Sequence, residues 1–321
     1  MEAHQGNRTH FIIKGISDVP ELQLPLFLLV LLIYLITLGG NLTILLLVCL
    51  DRHLRTPMYF FLGNLSMLDI SSTTVTLHKI LATFVTGDKS VSFSECMAHV
   101  YFFMALQCTE LLVLAAMSYD RYVAICHPLH YHMVMSHGVC SLLATGCWVS
   151  GFLEVIPHTS VISNFSCYAS HEINHFFCDV LPLMRISCSD TSLLKLLIVT
   201  EGVFVSGLIP LSLTLIPYVF IILAVLKIPT NIGRRKAFYT CSSHITVVVL
   251  LYTTLYCLYL TPSSKNPLDS HKLFSLFNTA VVPMLNPLIY SLKNKDVKSS
   301  IKRRLHSISC RLFPSLHFTC K

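Results

Sequence analysis

Four ionisable side chains inside two apolar stretches of the sequence are the first candidates for function. Asp69 and Glu110 each lie near the middle of such a stretch, and Asp120 and Arg121 lie together near the end of one. An ionisable group within a membrane is costly unless it is paired or hydrated, so each of the four is a candidate for function. Glu110 and Arg121 are eleven residues apart, close to three helical turns, and therefore share one helix face with Gln107.

Asp69 and Glu110 allow two interpretations. Two carboxylates that are buried close together do not both ionise without a compensating charge. Either they share a cation such as Na⁺, or one of them keeps its proton. A catalytic metal is not predicted, because the sequence has no H-E-x-x-H motif and no cysteine pair with zinc-finger spacing. We therefore expect no enzyme activity, and no cofactor except a sodium ion under the first interpretation of Asp69 and Glu110.

The composition identifies the kind of element that must position these groups. Of the 321 residues, 54% are hydrophobic and 12% are charged, whereas a soluble domain has about 25% charged residues. A helix needs about 20 apolar residues to cross a bilayer, and only a helix or a closed barrel satisfies its backbone there. The sequence predicts an all-α, seven-transmembrane helix bundle, with spans at Leu22–Leu50, Met58–Phe84, Met97–Cys126, Val139–His158, Leu193–Ile228, Ala237–Leu260 and Lys272–Leu292.

The distribution of basic residues predicts the orientation. Cytoplasmic segments next to spans are enriched in Lys and Arg. One set of loops is dense in such residues, namely Arg52, Arg55, Lys227, Arg234, Arg235, Lys236, Lys293, Lys295, Lys298, Lys302, Arg303 and Arg304. We therefore expect residues 1–21 to be extracellular, residues 22–292 to form the membrane domain, and residues 293–321 to be cytoplasmic. Asn7 then becomes a glycosylation candidate, since Asn7-Arg8-Thr9 is an acceptor sequence.

Two further segments carry expectations. Val297, Ile301 and Leu305 recur every four residues among basic side chains, which predicts a short amphipathic helix on the anionic cytoplasmic leaflet. The net charge of +7 accordingly indicates membrane lipid rather than nucleic acid as the partner. Four cysteines on the extracellular side suggest two disulfides, with three pairings open: Cys96, Cys167, Cys178 and Cys188.

Several long motifs resemble one family. The segment 117–131 reads MSYDRYVAICHPLHY, 54–62 reads LRTPMYFFL, 236–244 reads KAFYTCSSH and 283–292 reads PMLNPLIYSL. Together they closely resemble the olfactory receptors, a branch of the rhodopsin-like (class A) G-protein-coupled receptors, and the short N-terminus is similar to the tetrapod-type class II. The resemblance covers nearly the whole chain. It implies a multi-pass plasma-membrane receptor.

The resemblance also implies disulfides and a ligand site. It pairs Cys96 with Cys178 and Cys167 with Cys188. It places a small volatile odorant in the outer half of the bundle, among mostly apolar side chains with a few hydroxyl or amide groups. Helical spacing then offers as ligand-binding residues Phe103, Met104, Gln107, Cys108, Val203, Ser206, Gly207, Tyr252, Leu255, Tyr256, Tyr259 and Thr279.

Activation is expected at the cytoplasmic side. The resemblance implies that Asp120 holds Arg121 at rest and releases it as span six swings outward, with Tyr218 and Tyr290 supporting the opened cleft. The partner is then a stimulatory, olfactory-type heterotrimeric G protein that raises cyclic AMP. The full set of residues assigned to coupling and activation is Asp120, Arg121, Tyr122, Tyr218, His244, Asn286, Pro287 and Tyr290.

Two other functions are compatible with parts of this pattern. A class A receptor for a different small molecule has the same motifs. An amine receptor, however, normally has a carboxylate in the outer half of span three, where Phe103, Met104, Gln107 and Cys108 offer none. A membrane transporter is far less favoured, because seven spans do not divide into equal halves and no internal repeat is visible.

Overall fold

The computed structural model describes residues 10–17, 19–259, 268–293 and 295–312. Within these ranges the chain forms a bundle of seven long helical segments, as predicted. Their bounds are Pro20–Leu50 (span one), Pro57–Thr86 (span two), Phe93–Cys126 (span three), His137–Ser163 (span four), Ser192–Leu226 (span five), Asn231–Tyr259 (span six) and 268–293 (span seven).

The helices have the length and surface of membrane spans. Among the described residues, six helices are long and apolar enough to cross a membrane. Large apolar side chains lie exposed along spans one and five. Examples are Leu28, Leu32 and Leu46 on span one and Phe220 and Leu226 on span five. Exposed apolar area on this scale is stable only against hydrocarbon. The protein is therefore a multi-pass membrane protein.

Span two is the long helix that falls outside those six. It runs for 30 residues, but its buried positions include polar side chains, namely Ser66, Asp69, Ser72, Thr73 and Thr76. It packs against both span one and span three. Neighbouring helices therefore cover these polar groups, and a low apolar content is compatible with its place in the bundle.

Local sequence signals set the helix ends. Span two begins at Pro57, whose missing N–H costs nothing at a first turn, and ends at Gly87 with φ of 74°, a left-handed conformation that favours glycine. The Ser92 hydroxyl accepts a hydrogen bond from the Glu95 N–H at 3.2 Å and caps span three. Span four begins after Ser136, whose hydroxyl accepts a hydrogen bond from the Val139 N–H at 3.4 Å.

Two spans contain π-helical segments. In span five the segment is Ile198–Leu208, and in span seven it is Phe277–Val281. A π-helix has a wider turn than an α-helix and shifts the side chains beyond it to a new face. Both segments carry polar side chains within the membrane: Glu201 and Ser206 in span five, and Asn278 and Thr279 in span seven.

A three-stranded sheet covers one end of the bundle and was not predicted. Its strands are β1 (His10–Ile13), β2 (Ser90–Ser92) and β3 (Glu172–Ile173), in the order β2-β1-β3. Strand β1 pairs antiparallel with β2, with Phe11 opposite Val91, and parallel with β3. The segment before span one thus adds buried apolar residues to this end, which we call the sheet end.

The other end, called the basic end, carries the predicted amphipathic helix at Lys295–Leu312. Val297 is buried against the bundle. Arg303 donates a hydrogen bond to the Asp51 carboxylate at 2.8 Å, and the Ser300 hydroxyl donates to the same group. The pKa of Asp51 lies well below its usual range, because Arg303 and then Ser300 stabilise its charge.

Candidate functional site

The long loop between spans four and five closes the sheet end. Cys96 is bonded to Cys178 and Cys167 to Cys188, with Cα–Cα distances of 5.4 and 5.2 Å. Both disulfides implied by the resemblance are therefore present. The first fixes the loop to span three, and it brings the ring of Phe177 to 4.9 Å from that of Phe103, centroid to centroid.

Two titratable side chains of this loop are buried. His175 is 1% exposed, and burial, with smaller contributions from His271 and Lys272, lowers its pKa to about 3. Asp179 accepts a hydrogen bond from the Val180 N–H at 2.7 Å. Burial raises the pKa of this carboxyl to about 6. The loop therefore contributes a neutral imidazole and a carboxyl that takes up a proton near neutral pH.

The predicted ligand residues of spans three, six and seven meet around a chain of hydrogen bonds. Asn278 donates to the Gln107 side-chain oxygen at 2.9 Å, and Thr254 donates to the Asn278 side-chain oxygen at 2.9 Å. Gln107 in turn donates to Glu110 at 3.2 Å. Asn278 and Thr254 were not among the predicted residues. Their polar side chains within apolar runs were the available signal, but pairing them required the rotation of each helix about its axis.

Most of the predicted ligand residues lie at least partly inside the bundle. Phe103 and Thr279 are buried. Partly buried are Met104, Gln107, Cys108, Val203, Ser206, Gly207, Tyr252, Leu255 and Tyr259. Their contact with a ligand remains a prediction.

Tyr256 is a correction to that set. Its side chain is 61% exposed, on the same side of span six as the exposed Val249 one heptad earlier. The predicted stripe of Tyr252, Leu255, Tyr256 and Tyr259 is wide, and Tyr256 forms the edge that turns outward. The helix therefore presents Tyr256 away from the interior.

An acidic group that was not predicted lies between spans four and five. The Ser206 hydroxyl donates a hydrogen bond to Glu154 Oε1. One turn nearer the sheet end, the Nδ1 atom of His158 lies 3.4 Å from Glu201 Oε2. Glu154 and Glu201 both occur in apolar runs of the sequence, which was the available signal. The π-helical segment of span five is what places Glu201 and Ser206 toward span four.

Asp69 and Glu110 are brought together, as the interpretation of the sequence required. The two carboxyl groups lie close enough for a charge on one to affect the other, and Asn286 donates a hydrogen bond to Asp69 Oδ1 at 2.9 Å. Four buried side-chain oxygens here lack a hydrogen-bond partner among the described residues: Asn41 Oδ1, Asp69 Oδ2, Glu110 Oε1 and Asn286 Oδ1. A ring of oxygen acceptors is the donor set that a hard cation prefers.

Asp120 and Arg121 form a buried ion pair at the basic end. Arg121 donates to Asp120 Oδ2 from Nη2 at 2.5 Å and from Nε at 3.0 Å. Tyr131 donates to the other carboxylate oxygen at 2.7 Å. Asp120 is 0% exposed, and Arg121 is the described residue that balances its charge. The contact between Asp120 and Arg121 is the one expected from the sequence; its role in holding a resting state stays a prediction.

His244 joins span six to its neighbours. Its Nε2 lies 3.1 Å from the Leu114 main-chain oxygen on span three, and its Nδ1 lies 2.7 Å from the Tyr218 hydroxyl on span five. A carbonyl only accepts, so Nε2 carries the proton and Nδ1 accepts the Tyr218 O–H. We call these three residues the His244 lock. The sequence placed His244 and Tyr218 in the activation set without their direct bond.

The remaining activation residues lie nearby. Tyr122 is within 3.1 Å of His127 through its hydroxyl, and both line a cavity of about 380 Å³ at the basic end. Tyr290 is buried. Pro287 packs against Gly40, where a Cβ atom would come within 2.9 Å of the proline ring. Asn7, the glycosylation candidate, lies outside the described residues.

Comparisons with known proteins agree with this architecture. The family model described as "Olfactory receptor" matches residues 30–307. The chain is 45% identical over 300 residues to olfactory receptor 5B21 of Homo sapiens, covering 94% of this chain and 96% of that one. It is 45% identical over 301 residues to olfactory receptor 8G50 of Mus musculus, with 94% and 96% covered. The crystal structure of squid rhodopsin shares the fold, with a TM-score of 0.70 over 95% of this chain and 89% of that one at 18% identity.

Proposed function

The chain belongs to the olfactory receptor family, and from that premise we propose that it binds a small volatile odorant near the sheet end and activates a stimulatory G protein at the basic end. It is a signalling receptor rather than an enzyme. The observation that carries the proposal is the buried Asp120–Arg121 pair, because it is a charged contact that a change in helix packing can open.

The orientation follows from chemistry at the two ends. Both disulfides lie at the sheet end, and disulfides persist in oxidising surroundings. Exposed basic side chains such as Arg52, Lys302 and Arg303 lie at the other end, as in cytoplasmic segments. We infer that the sheet end faces the outside of the plasma membrane.

Odorant binding would change the packing of spans that are already in contact. An odorant among the predicted ligand residues contacts spans three, five and six, and the Gln107–Asn278–Thr254 chain joins spans three, six and seven. A ligand shifts the equilibrium only by its difference in affinity for the two states. An odorant that fits better when span six has moved therefore favours the state in which the His244 lock is open.

Opening the basic end exposes what the G protein recognises. Arg121 then leaves Asp120 and becomes available to the incoming α subunit. The basic character of this end supports a heterotrimeric G protein as partner, and family membership supports the stimulatory, olfactory-type member and a rise in cyclic AMP.

The test is a cyclic-AMP reporter screen of a broad panel of odorants, both neutral and charged, in cells that display the receptor. We expect at least one dose-dependent response in the wild type and its loss in Arg121→Ala. Arg52→Ala is the matched control, since it removes an exposed arginine from the same end. Surface amounts are measured for all three proteins by antibody.

Two results would contradict the proposal. One is a wild type that reaches the surface yet raises cyclic AMP for no odorant in the panel. The other is an Arg121→Ala protein that responds as the wild type does at equal surface amounts.

We also propose that Asp69 and Glu110 hold a sodium ion. The four unpartnered oxygens around them fit that ion, and Asn286 would help to hold it. Sodium chloride should then raise the melting temperature of the purified receptor more than choline chloride at equal ionic strength. Asp69→Asn should abolish the difference, and Asp88→Asn, in an exposed turn, should keep it. Equal effects of both salts on the wild type would refute the sodium site.

A further inference from the structure

We propose that Glu154, His158 and Glu201 form a recognition site for the protonated amino group of a small organic amine. The proposal rests on the odorant-receptor function above and names a ligand class for it. We call these residues, with Ser206, the acidic site. They lie between spans four and five in the half of the bundle nearer the sheet end.

The acidic site is built from both spans. Glu154 ends the first helical part of span four, and Glu201 and Ser206 belong to the π-helical segment of span five. The Ser206 hydroxyl lies between them, bonded to Glu154 Oε1 and 3.2 Å from the Glu201 main-chain oxygen. Glu154 is close enough to Glu201 and His158 for their charges to interact. Two carboxyls are thus held near one another inside an apolar bundle.

Buried polar atoms in the acidic site lack partners. His158 is 3% exposed, and neither of its ring nitrogens forms a hydrogen bond with a described residue. The same holds for Glu201 Oε2, which lies 3.4 Å from His158 Nδ1. Buried polar groups are nearly always satisfied, so atoms of this kind mark a place where a polar ligand atom fits.

The charge of the site determines the ligand chemistry. In the described part of the chain, no Lys or Arg forms an ion pair with Glu154 or Glu201. A cation placed between Glu154 and Glu201 would supply the compensating charge that two neighbouring buried carboxyls require. An alkylammonium group is positively charged at neutral pH and offers three N–H donors.

The acidic site adjoins the predicted ligand residues. The Cys108 thiol on span three interacts with both Ser206 and Glu154, and Cys108 and Ser206 both belong to the predicted set. Glu201 keeps 29% of its side-chain surface exposed, while its buried Oε2 faces His158. An amine bound here would direct its apolar part toward span three. The carboxylate that span three does not provide is therefore supplied by spans four and five.

The experiment compares amines with alcohols of the same shape. The probes are hexylamine with 1-hexanol, cyclohexylamine with cyclohexanol, and benzylamine with benzyl alcohol, read by cyclic AMP. Glu201→Gln and Glu154→Gln each keep the side-chain size and remove the charge. Glu95→Gln is the matched control, because Glu95 is an exposed carboxyl at the same end of the bundle.

We expect at least one amine to activate the wild type at a concentration about tenfold or more below that of its alcohol. Glu201→Gln should raise the half-maximal concentration for that amine by about tenfold, with a smaller rise for Glu154→Gln. Responses to a neutral odorant, and all responses of Glu95→Gln, should stay unchanged.

Other outcomes would overturn the proposal. If no amine acts better than its alcohol, the site does not recognise the ammonium group. If Glu201→Gln weakens neutral and amine responses alike, the carboxyl has only a structural role. Both outcomes differ from failure of the receptor function itself, in which the wild type responds to no odorant of any class.

Discussion

His175 and Asp179 are buried in the same loop, and acid affects them in opposite ways. The pKa of His175 is lowered from 6.5 to about 3. Between these two pH values the unfolded chain binds a proton on His175 and the folded chain does not. The free energy of unfolding therefore falls as the pH falls through this interval. The pKa of Asp179 is raised from 3.8 to about 6. Between these two pH values the folded chain holds a proton on Asp179 and the unfolded chain does not. Stability therefore rises there as pH falls.

Separating the two residues should reveal both effects. As the pH falls from about 6 to about 4, the free energy of unfolding of Asp179→Asn should fall by about 1.4 kcal/mol per pH unit relative to the wild type. His175→Gln should gain a similar amount over the same interval. Melting temperatures of the purified receptor measure this, with His130→Gln, an exposed histidine at the other end, as control. Parallel pH curves for the wild type and both variants would show that these side chains do not titrate as described.

At the scale of elements, the contact between spans three and four depends on one glycine. A Cβ atom at Gly151 would lie 2.8 Å from the Thr109 main-chain nitrogen and 3.0 Å from its Cα. Backbone atoms within a helix cannot give way, so the two spans would have to separate.

Gly151→Ala should therefore destabilise the receptor by about 1–3 kcal/mol, as overpacking does. Gly146→Ala is the matched control on the same helix, since nothing lies within 4 Å of its Cβ position. It should be neutral or slightly stabilising, because alanine favours helix. Thermal unfolding in detergent measures both. Equal melting temperatures for the two variants would mean that the spans do not pack this closely.

At the scale of the whole molecule, the His244 lock sets the balance between resting and active states. His244→Leu removes both of its hydrogen bonds to spans three and five. A loss of about 1–2 kcal/mol from the resting state shifts the equilibrium about 5- to 30-fold. Cyclic AMP without ligand should rise accordingly.

Tyr218→Phe removes only one of the two bonds, so its basal signal should rise less. Tyr119→Phe, at a half-exposed tyrosine of the same end, should leave the basal signal unchanged. All values are divided by surface amount. A basal signal unchanged in both lock variants would show that these bonds do not restrain span six.

The sequence predicted whatever depends on local pattern. Apolar runs identified the seven spans, and the motif around Asp120 and Arg121 identified the ion pair. Features that depend on helix rotation were missed or misplaced. Tyr256 lies at one edge of the broad row of predicted ligand residues on span six, and its side chain turns outward. Glu201 lies in the π-helical segment close to His158, and α-helical spacing does not predict that position. The sheet was missed as well, because β1 depends on β2 and β3, each no more than three residues long.

Span three carries the Cys96–Cys178 bond near one end and Asp120 near the other. These points are 24 residues apart, which is about 36 Å along a helix axis. The disulfide ties the loop to one end of span three. A ligand that pushes the loop against Phe103 therefore acts on the same helix that carries Arg121 at its other end. The loop and Arg121 are therefore joined by one continuous helix, which connects the two ends of the receptor without a break in the backbone.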